Sequence, residues 1–184
     1  MQQNLSLRLA EGGLIIIDKP EGMTSHDVVD CVRKKLKIRR VGHAGTLDPM
    51  ATGLLIVLVG KATKFFNRFM ECDKTYSATM KLGVVTDSGD SSGKVIAEHP
   101  VSCSEEDVRA AVKSFEGTIE QIPPMVSALR YKGKRLYEIA REGKTVERAP
   151  RSVTIRSITV DAIRLPRSRS EEHTSELQSR VDIS

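Results

Sequence analysis

Several familiar catalytic and localising features are missing from this sequence. Three cysteines, Cys31, Cys72 and Cys103, occur in 184 residues. None lies in the close pairs that zinc sites use, so they read as reduced, mostly buried thiols that offer no metal site. The longest strongly apolar run, "LLIVLV" at 54–59, falls far short of the roughly 18 residues that a membrane span requires, and reads instead as a buried strand. The opening "MQQNLSLRLAEGG" has no basic stretch followed by an apolar core. A secretory signal is therefore not expected, and the chain reads as cytoplasmic.

With 39% apolar and 29% charged residues, the composition is that of a soluble globular chain, long enough for one sizeable core or for part of a larger protein. The net charge of +5 and pI near 9.2 favour an anionic partner. The charge is also clustered. In "RKKLKIRR", 33–40, six of eight residues are basic and none is acidic. Between Leu129 and Arg151, eight basic residues, Arg130, Lys132, Lys134, Arg135, Arg141, Lys144, Arg148 and Arg151, stand against three glutamates. Either run alone suits a solvated face as well as it suits nucleic acid.

From Arg169 the character changes. "RSEEHTSELQS", 169–179, is polar, shows no apolar stripe, and matches the translation of a common sequencing adapter. Residues 169–184 are accordingly set apart as a non-native tail, as a fusion scar would be. They carry a net −2, leaving +7 on the first 168 residues, and native sequence beyond Ser168 is expected to be missing.

Within 1–168, "GLIIID" at 13–18 reads as a buried strand closed by "KPEG". A helix should follow, capped by Thr24 or Ser25, with Asp27 in its first turn and Val28, Val29, Val32 and Leu36 on one face. "KATKFFNRFM" reads as an amphipathic helix, and "KTYSATMKLG", 74–83, as a strand with Tyr76, Ala78 and Met80 on one side. "TDSGDSSGK" is a turn-rich loop in which Asp87 and Asp90 are assigned turn chemistry. Ser104 and Asp107 form a capping box before a helix ending at Gly117. A basic hairpin follows the prolines at 123 and 124, then the helix "RLYEIAREG", and "SVTIRSITVDAIRL" supplies a final pair of strand segments. This irregular alternation predicts an α+β fold with a mixed or largely antiparallel sheet flanked by helices.

Between two of these strands lies "GHAGTLDPMATGLL", 42–55. Glycines permit tight turning and close approach of a ligand, and Pro49 drives Asp48 towards an extended conformation. A lone carboxylate in such a place would ordinarily close a turn, and a lone His43 would ordinarily be structural. No second acid, cysteine or clustered histidine stands nearby.

The stretch resembles the signature motif of bacterial tRNA pseudouridine synthases of the TruB family. Three further stretches resemble that family in order: "LIIIDKPEGMTSHDVV" its Lys-Pro motif, "KTYSATMKLGVVTDSGD" its Lys-x-Tyr strand and following loop, and "QIPPMVSALRYKGKRLYEIAREG" its RNA-gripping insertion, about 122–150. The likeness runs from about Gly12 to about Leu165. Ala44 and Met50 are mild departures.

The resemblance implies the N-terminal part of a pseudouridine synthase catalytic domain over 1–168. It implies an isomerase that breaks a uridine's N-glycosidic bond, turns the base and rejoins it through carbon, with one aspartate and neither metal nor cofactor. Asp48 would be the catalytic carboxylate, ionised to act. Tyr76 would stack on the flipped base, His43 would hold the flipped arrangement, and Lys19 and Lys74 would be structural or substrate-orienting. Arg33, Lys34, Lys35, Arg39, Arg40, Arg130, Lys132, Lys134 and Arg135 would contact RNA phosphates. The partner would be the T stem-loop of tRNA, met by a monomer that binds no membrane. The arginine that pairs with the aspartate in the family, and its C-terminal RNA-binding domain, would fall beyond Ser168. The rival reading is a tRNA-binding or tRNA-folding module without catalysis. A hydrolase ranks far lower, lacking a base-nucleophile pair or a metal set.

Overall fold

The computed structural model describes residues 9, 11–125, 127, 129–165 and 176–183. It divides into two compact units, 1–72 and 73–184.

The first unit is a three-stranded antiparallel sheet of order β1-β3-β2, with β1 at Gly13–Lys19, β2 at Val41–Ala44 and β3 at Gly53–Val59. Helix α1, Ser25–Leu36, contributes Val28 and Val29 to a core shared with Val41, Leu55, Val57 and Val59. The capping residue is Thr24. Its hydroxyl accepts from the Asp27 amide, and the Asp27 carboxylate accepts from the Thr24 amide. Strand β3 is central and almost wholly enclosed at Leu55, Val57 and Val59. Each such side chain contributes on the order of 2 kcal/mol of burial. Strand β1 is not buried on both faces as "GLIIID" suggests: Ile15 and Ile17 pack inward while Ile16 is 65% exposed. It is an edge strand, so the period-2 pleat turns every second residue outward. Instead of one helix, "KATKFFNRFM" forms a 3₁₀ segment, Gly60–Phe65, and a short helix α2, Phe66–Met70.

In the second unit a four-stranded antiparallel sheet has the order β4-β11-β10-β7. Its strands are β4 at Lys74–Lys81, β7 at Gly117–Gln121, β10 at Arg151–Arg164 and β11 at Glu176–Ile183. Helix α3, Glu105–Lys113, carries the Ser104–Asp107 capping box. Two small hairpins pair β5, Val84–Thr86, with β6, Val95–Glu98, and β8, Arg130–Tyr131, with β9, Lys134–Arg135. Helix α4 spans Leu136–Arg141.

Three expectations change here. The final pair of strand segments is one strand, β10, which keeps its course through register shifts at Ile155/Ser157 and Val160/Ala162. The extra residues of β-bulges allow that continuity. The tail set aside from fold reasoning supplies β11, because Leu177, Val181 and Ile183 alternate with polar residues. All three cysteines are exposed, which a small thiol tolerates at little cost.

Candidate active site

The loop between β2 and β3 presents Asp48 to solvent, and the residue on each side of it is tied down. Before it, the Leu47 amide donates to the Ser25 hydroxyl at 2.9 Å, and that hydroxyl donates back to the Leu47 carbonyl at 3.2 Å. Ser25 opens α1 and is 2% exposed. After it, the Pro49 carbonyl accepts from the Gly22 amide at 2.8 Å and from the Lys19 ammonium at 3.2 Å. Asp48 thus sits between two anchored residues. Its own carbonyl accepts from the Ala51 amide at 3.0 Å, closing a turn. Gly45 and Gly53 bracket the loop at φ +113° and +110°, values that any residue with a Cβ adopts only under strain.

Lys19, the last residue of β1, has no solvent exposure. Besides Pro49, its ammonium donates to the carbonyls of Pro20 at 2.9 Å and Met23 at 2.7 Å. Three acceptors match the three donors of an ammonium, which is how a buried cation is tolerated. One side chain therefore joins the turn after β1 to the loop carrying Asp48. His43 lies on β2 opposite Val57, where its Nδ1 donates to the Gly45 carbonyl and orients the ring. Among the described residues of this unit, no cationic side chain forms an ion pair with Asp48.

In the second unit, Lys74 and Tyr76 share one face of β4, two residues apart, and Tyr76 is 41% exposed. Asp90 accepts from both the Ser88 and Ser92 hydroxyls and from the Ser92 amide. The Ser92 hydroxyl, then that of Ser88, holds its carboxyl below the usual value. Asp87 accepts from the Lys94 amide. Both acids thus organise the 86–94 turn.

The basic residues divide by occupation. Arg33 ties α1 to itself and to β2, donating to Asp30 at 2.9 Å and to the Val41 carbonyl at 2.8 Å. Arg40 donates to the Thr63 hydroxyl. Lys34, Lys35 and Arg39 are exposed. An open cleft of about 450 Å³ at the end of α1 is lined by Arg33, Lys34, Lys37, Ile38 and Arg39. Lys37 is not among the sequence-derived contacts. Its sequence signal is its place in the basic run 33–40, and in the structure it takes the left-handed C-cap of α1 (φ 56°). At the β8–β9 tip, Lys132 lies 5.5 Å from the Tyr131 ring centroid. Lys134 pairs with Glu142 at 3.0 Å and Lys144 pairs with the same carboxylate at 2.8 Å, pulling it down to about 2. The side chains of Arg130 and Arg135 lie outside the described residues. Among the described residues, no group of three or more His, Cys, Asp or Glu side chains is placed to hold a metal, and no helix is long and apolar enough to cross a membrane.

This α+β arrangement with antiparallel sheets has solved counterparts. One is in a crystal structure of a Cbf5-Nop10-Gar1 complex, with TM-score 0.66 and 27% identity, covering 97% of this chain and 41% of that one. Another is in an H/ACA RNP bound to a substrate RNA containing 2'-deoxyuridine, with TM-score 0.60 and 25% identity, covering 97% and 39%. These define the chain as part of a pseudouridine synthase fold.

Residues 33–179 match the TruB family pseudouridylate synthase (N terminal domain), and the chain belongs to that family. The tRNA pseudouridine synthase B of Endomicrobium trichonymphae is 54% identical over 149 residues, covering 80% of this chain and 65% of that protein. The protein of the same name from Burkholderia pseudomallei (strain 668) is 49% identical over 159 residues, covering 86% and 53%. The chain therefore spans between about half and two thirds of the length of these relatives.

Proposed function

We propose that this chain is the N-terminal part of a cytoplasmic, monomeric enzyme that converts uridine to pseudouridine in the T stem-loop of tRNA, with Asp48 as the catalytic carboxylate. The observation that carries the reading is the exposed Asp48 held between Leu47 and Pro49, each anchored by a separate hydrogen-bond set. A nucleophile that must meet one sugar carbon benefits from such fixing, since proximity and orientation supply much of a barrier's reduction. On this reading Lys19 is a positioning residue, because its ammonium is already committed to three carbonyls. His43 and Tyr76 handle the flipped base, and Lys74, beside Tyr76 on β4, orients it. Lys34, Lys35, Lys37 and Arg39 meet phosphates at the end of α1. Lys132, on the hairpin near 130–135 within an RNA-gripping insertion of about 122–150, also meets phosphate. The chemistry calls for neither metal nor cofactor, and 169–184 is read as an adapter-derived tail.

The test is chromatography of nucleosides from a T-arm stem-loop incubated with the chain extended to its relatives' length, with and without Asp48→Ala. Product should vanish while RNA affinity stays within about twofold, as expected when a group acts in the transition state. Retained turnover would sink the assignment. A second reading, tRNA binding without catalysis, is favoured for the chain as it stands by the lack of a cationic partner for Asp48 within its unit among the described residues. It expects strongly salt-dependent binding that Asp48→Ala leaves unchanged, and no product from the unextended chain.

A further inference from the structure

We propose that Ser25 is a positioning residue for the reaction: its hydroxyl grips both main-chain polar groups of Leu47 and so fixes the peptide that leads into Asp48. The proposal rests on Asp48 being the catalytic carboxylate.

Burial singles this serine out. Among the described residues, Lys19 and Ser25 are the buried polar or charged ones, and both reach into the loop between β2 and β3. Lys19 holds Pro49, just after Asp48, and Ser25 holds Leu47, just before it. Burying a polar group is unfavourable unless it is hydrogen-bonded, and the fold satisfies both of these groups on the two residues that flank one carboxylate. Helix α1 does not need the Ser25 hydroxyl for its own start. The Thr24 hydroxyl accepts from the Asp27 amide, and the Asp27 carboxylate accepts from the Thr24 amide and hydroxyl, which closes the cap without Ser25.

A hydroxyl carries one proton and two lone pairs. That of Ser25 therefore accepts from the Leu47 amide at 2.9 Å and donates to the Leu47 carbonyl at 3.2 Å at the same time. These two groups stand on either side of the Leu47 Cα, so the pair of bonds restrains both soft dihedrals of that residue. Its side chain packs against the core of the first unit. The Leu47 carbonyl also belongs to the planar peptide that contains the Asp48 nitrogen. Fixing that plane limits where the Asp48 Cβ can point. A misplacement of about 1 Å at a reacting group can slow a reaction about a hundredfold.

The experiment compares Ser25→Ala, Ser25→Cys and Ser25→Thr in the chain extended to its relatives' length, with the T-arm stem-loop as substrate. Single-turnover rate at saturating RNA, RNA affinity, and hydrogen exchange at the Leu47 amide and at 53–59 are measured for each. For Ser25→Ala the rate should fall about tenfold or more while RNA affinity stays within about twofold. Exchange should quicken at Leu47 and not at 53–59. Ser25→Thr restores the hydroxyl and should recover most of the rate. An unchanged rate, a loss of affinity with the rate intact, or a Ser25→Thr variant that regains Leu47 protection without regaining rate overturns the proposal. Should Ser25→Ala lose protection at 53–59, Ser25→Cys decides, because it nearly keeps the shape with a far weaker donor and acceptor. A slowed rate then supports the grip, and an unchanged rate refutes it. Turnover retained by Asp48→Ala removes the catalytic reading and this proposal together. Turnover lost there but untouched by Ser25→Ala removes this proposal alone.

Discussion

Replacing Lys19 with methionine would separate the bracing of the Asp48 loop from its chemistry. Methionine fills much of the volume but donates nothing, so the carbonyls of Pro20, Met23 and Pro49 lose the ammonium together. Pro49 keeps the Gly22 amide, which leaves two acceptors chiefly exposed to the loss. A buried acceptor left unsatisfied costs about 1–3 kcal/mol. Against this, no ammonium need be desolvated any longer, and that relief can reach several kcal/mol. With about 2 kcal/mol for each of the two acceptors and an offset of about 2–3 kcal/mol, the net loss is about 1–2 kcal/mol, a sizeable share of the stability of a small unit. Urea unfolding should show a lower midpoint at unchanged slope. Hydrogen exchange should show faster opening at Gly22, whose partner carbonyl sits on the loosened loop, than at the β3 amides. Stability within about 0.5 kcal/mol of the unaltered chain, with Gly22 equally protected, would refute the claim that this ammonium fastens the loop.

Gly53→Ala forces a Cβ onto φ +110° and should cost about 1–3 kcal/mol through backbone strain alone, since nothing crowds the added atom; equal thermal stability would count against it. Glu142, lowered to about 2 by Lys144 and Lys134, contributes stability present above its ordinary 4.5 and lost as pH falls towards 2; a carboxyl resonance titrating at the ordinary value would contradict the double pairing. Replacing Lys34 and Lys37 with alanine should flatten the salt dependence of tRNA binding by about one to two units of log-log slope. Arg33→Ala, by contrast, should lower stability through its lost bonds to Asp30 and Val41; a slope change from Arg33→Ala with unchanged stability would reverse that division.

What the sequence makes legible follows from how local each cause is. The Ser104 capping box and the glycine-bracketed loop depend on residues within a few positions of one another and can be read directly, and the cap of α1 is narrowed to Thr24 or Ser25. The antiparallel character follows from the short alternating strands. Lys19 was open to two roles because its third acceptor, Pro49, lies thirty residues away. Ser25 looked like a cap, yet its neighbour Thr24 takes that role and leaves Ser25 to hold Leu47. Arg33 looked like its basic neighbours, although a carbonyl on β2 claims it. Residues 176–183, set apart for the character of their sequence, nevertheless pair as a strand, because main-chain pairing does not depend on a segment's origin.

The order of the chain gives the Lys19 brace a consequence for folding during synthesis. Lys19, Gly22 and Ser25 all precede the loop they hold, so the anchoring groups leave the ribosome first. Their loop partners, Leu47 and Pro49, come from the stretch leading into β3, whose pairing with β1, Lys19 against Gly53 and Gly13 against Val59, is a long-range closure that is slow relative to local helix formation. The loop around Asp48 is thus shaped in the same event that completes the first sheet. A half-finished first unit therefore has no braced aspartate to offer.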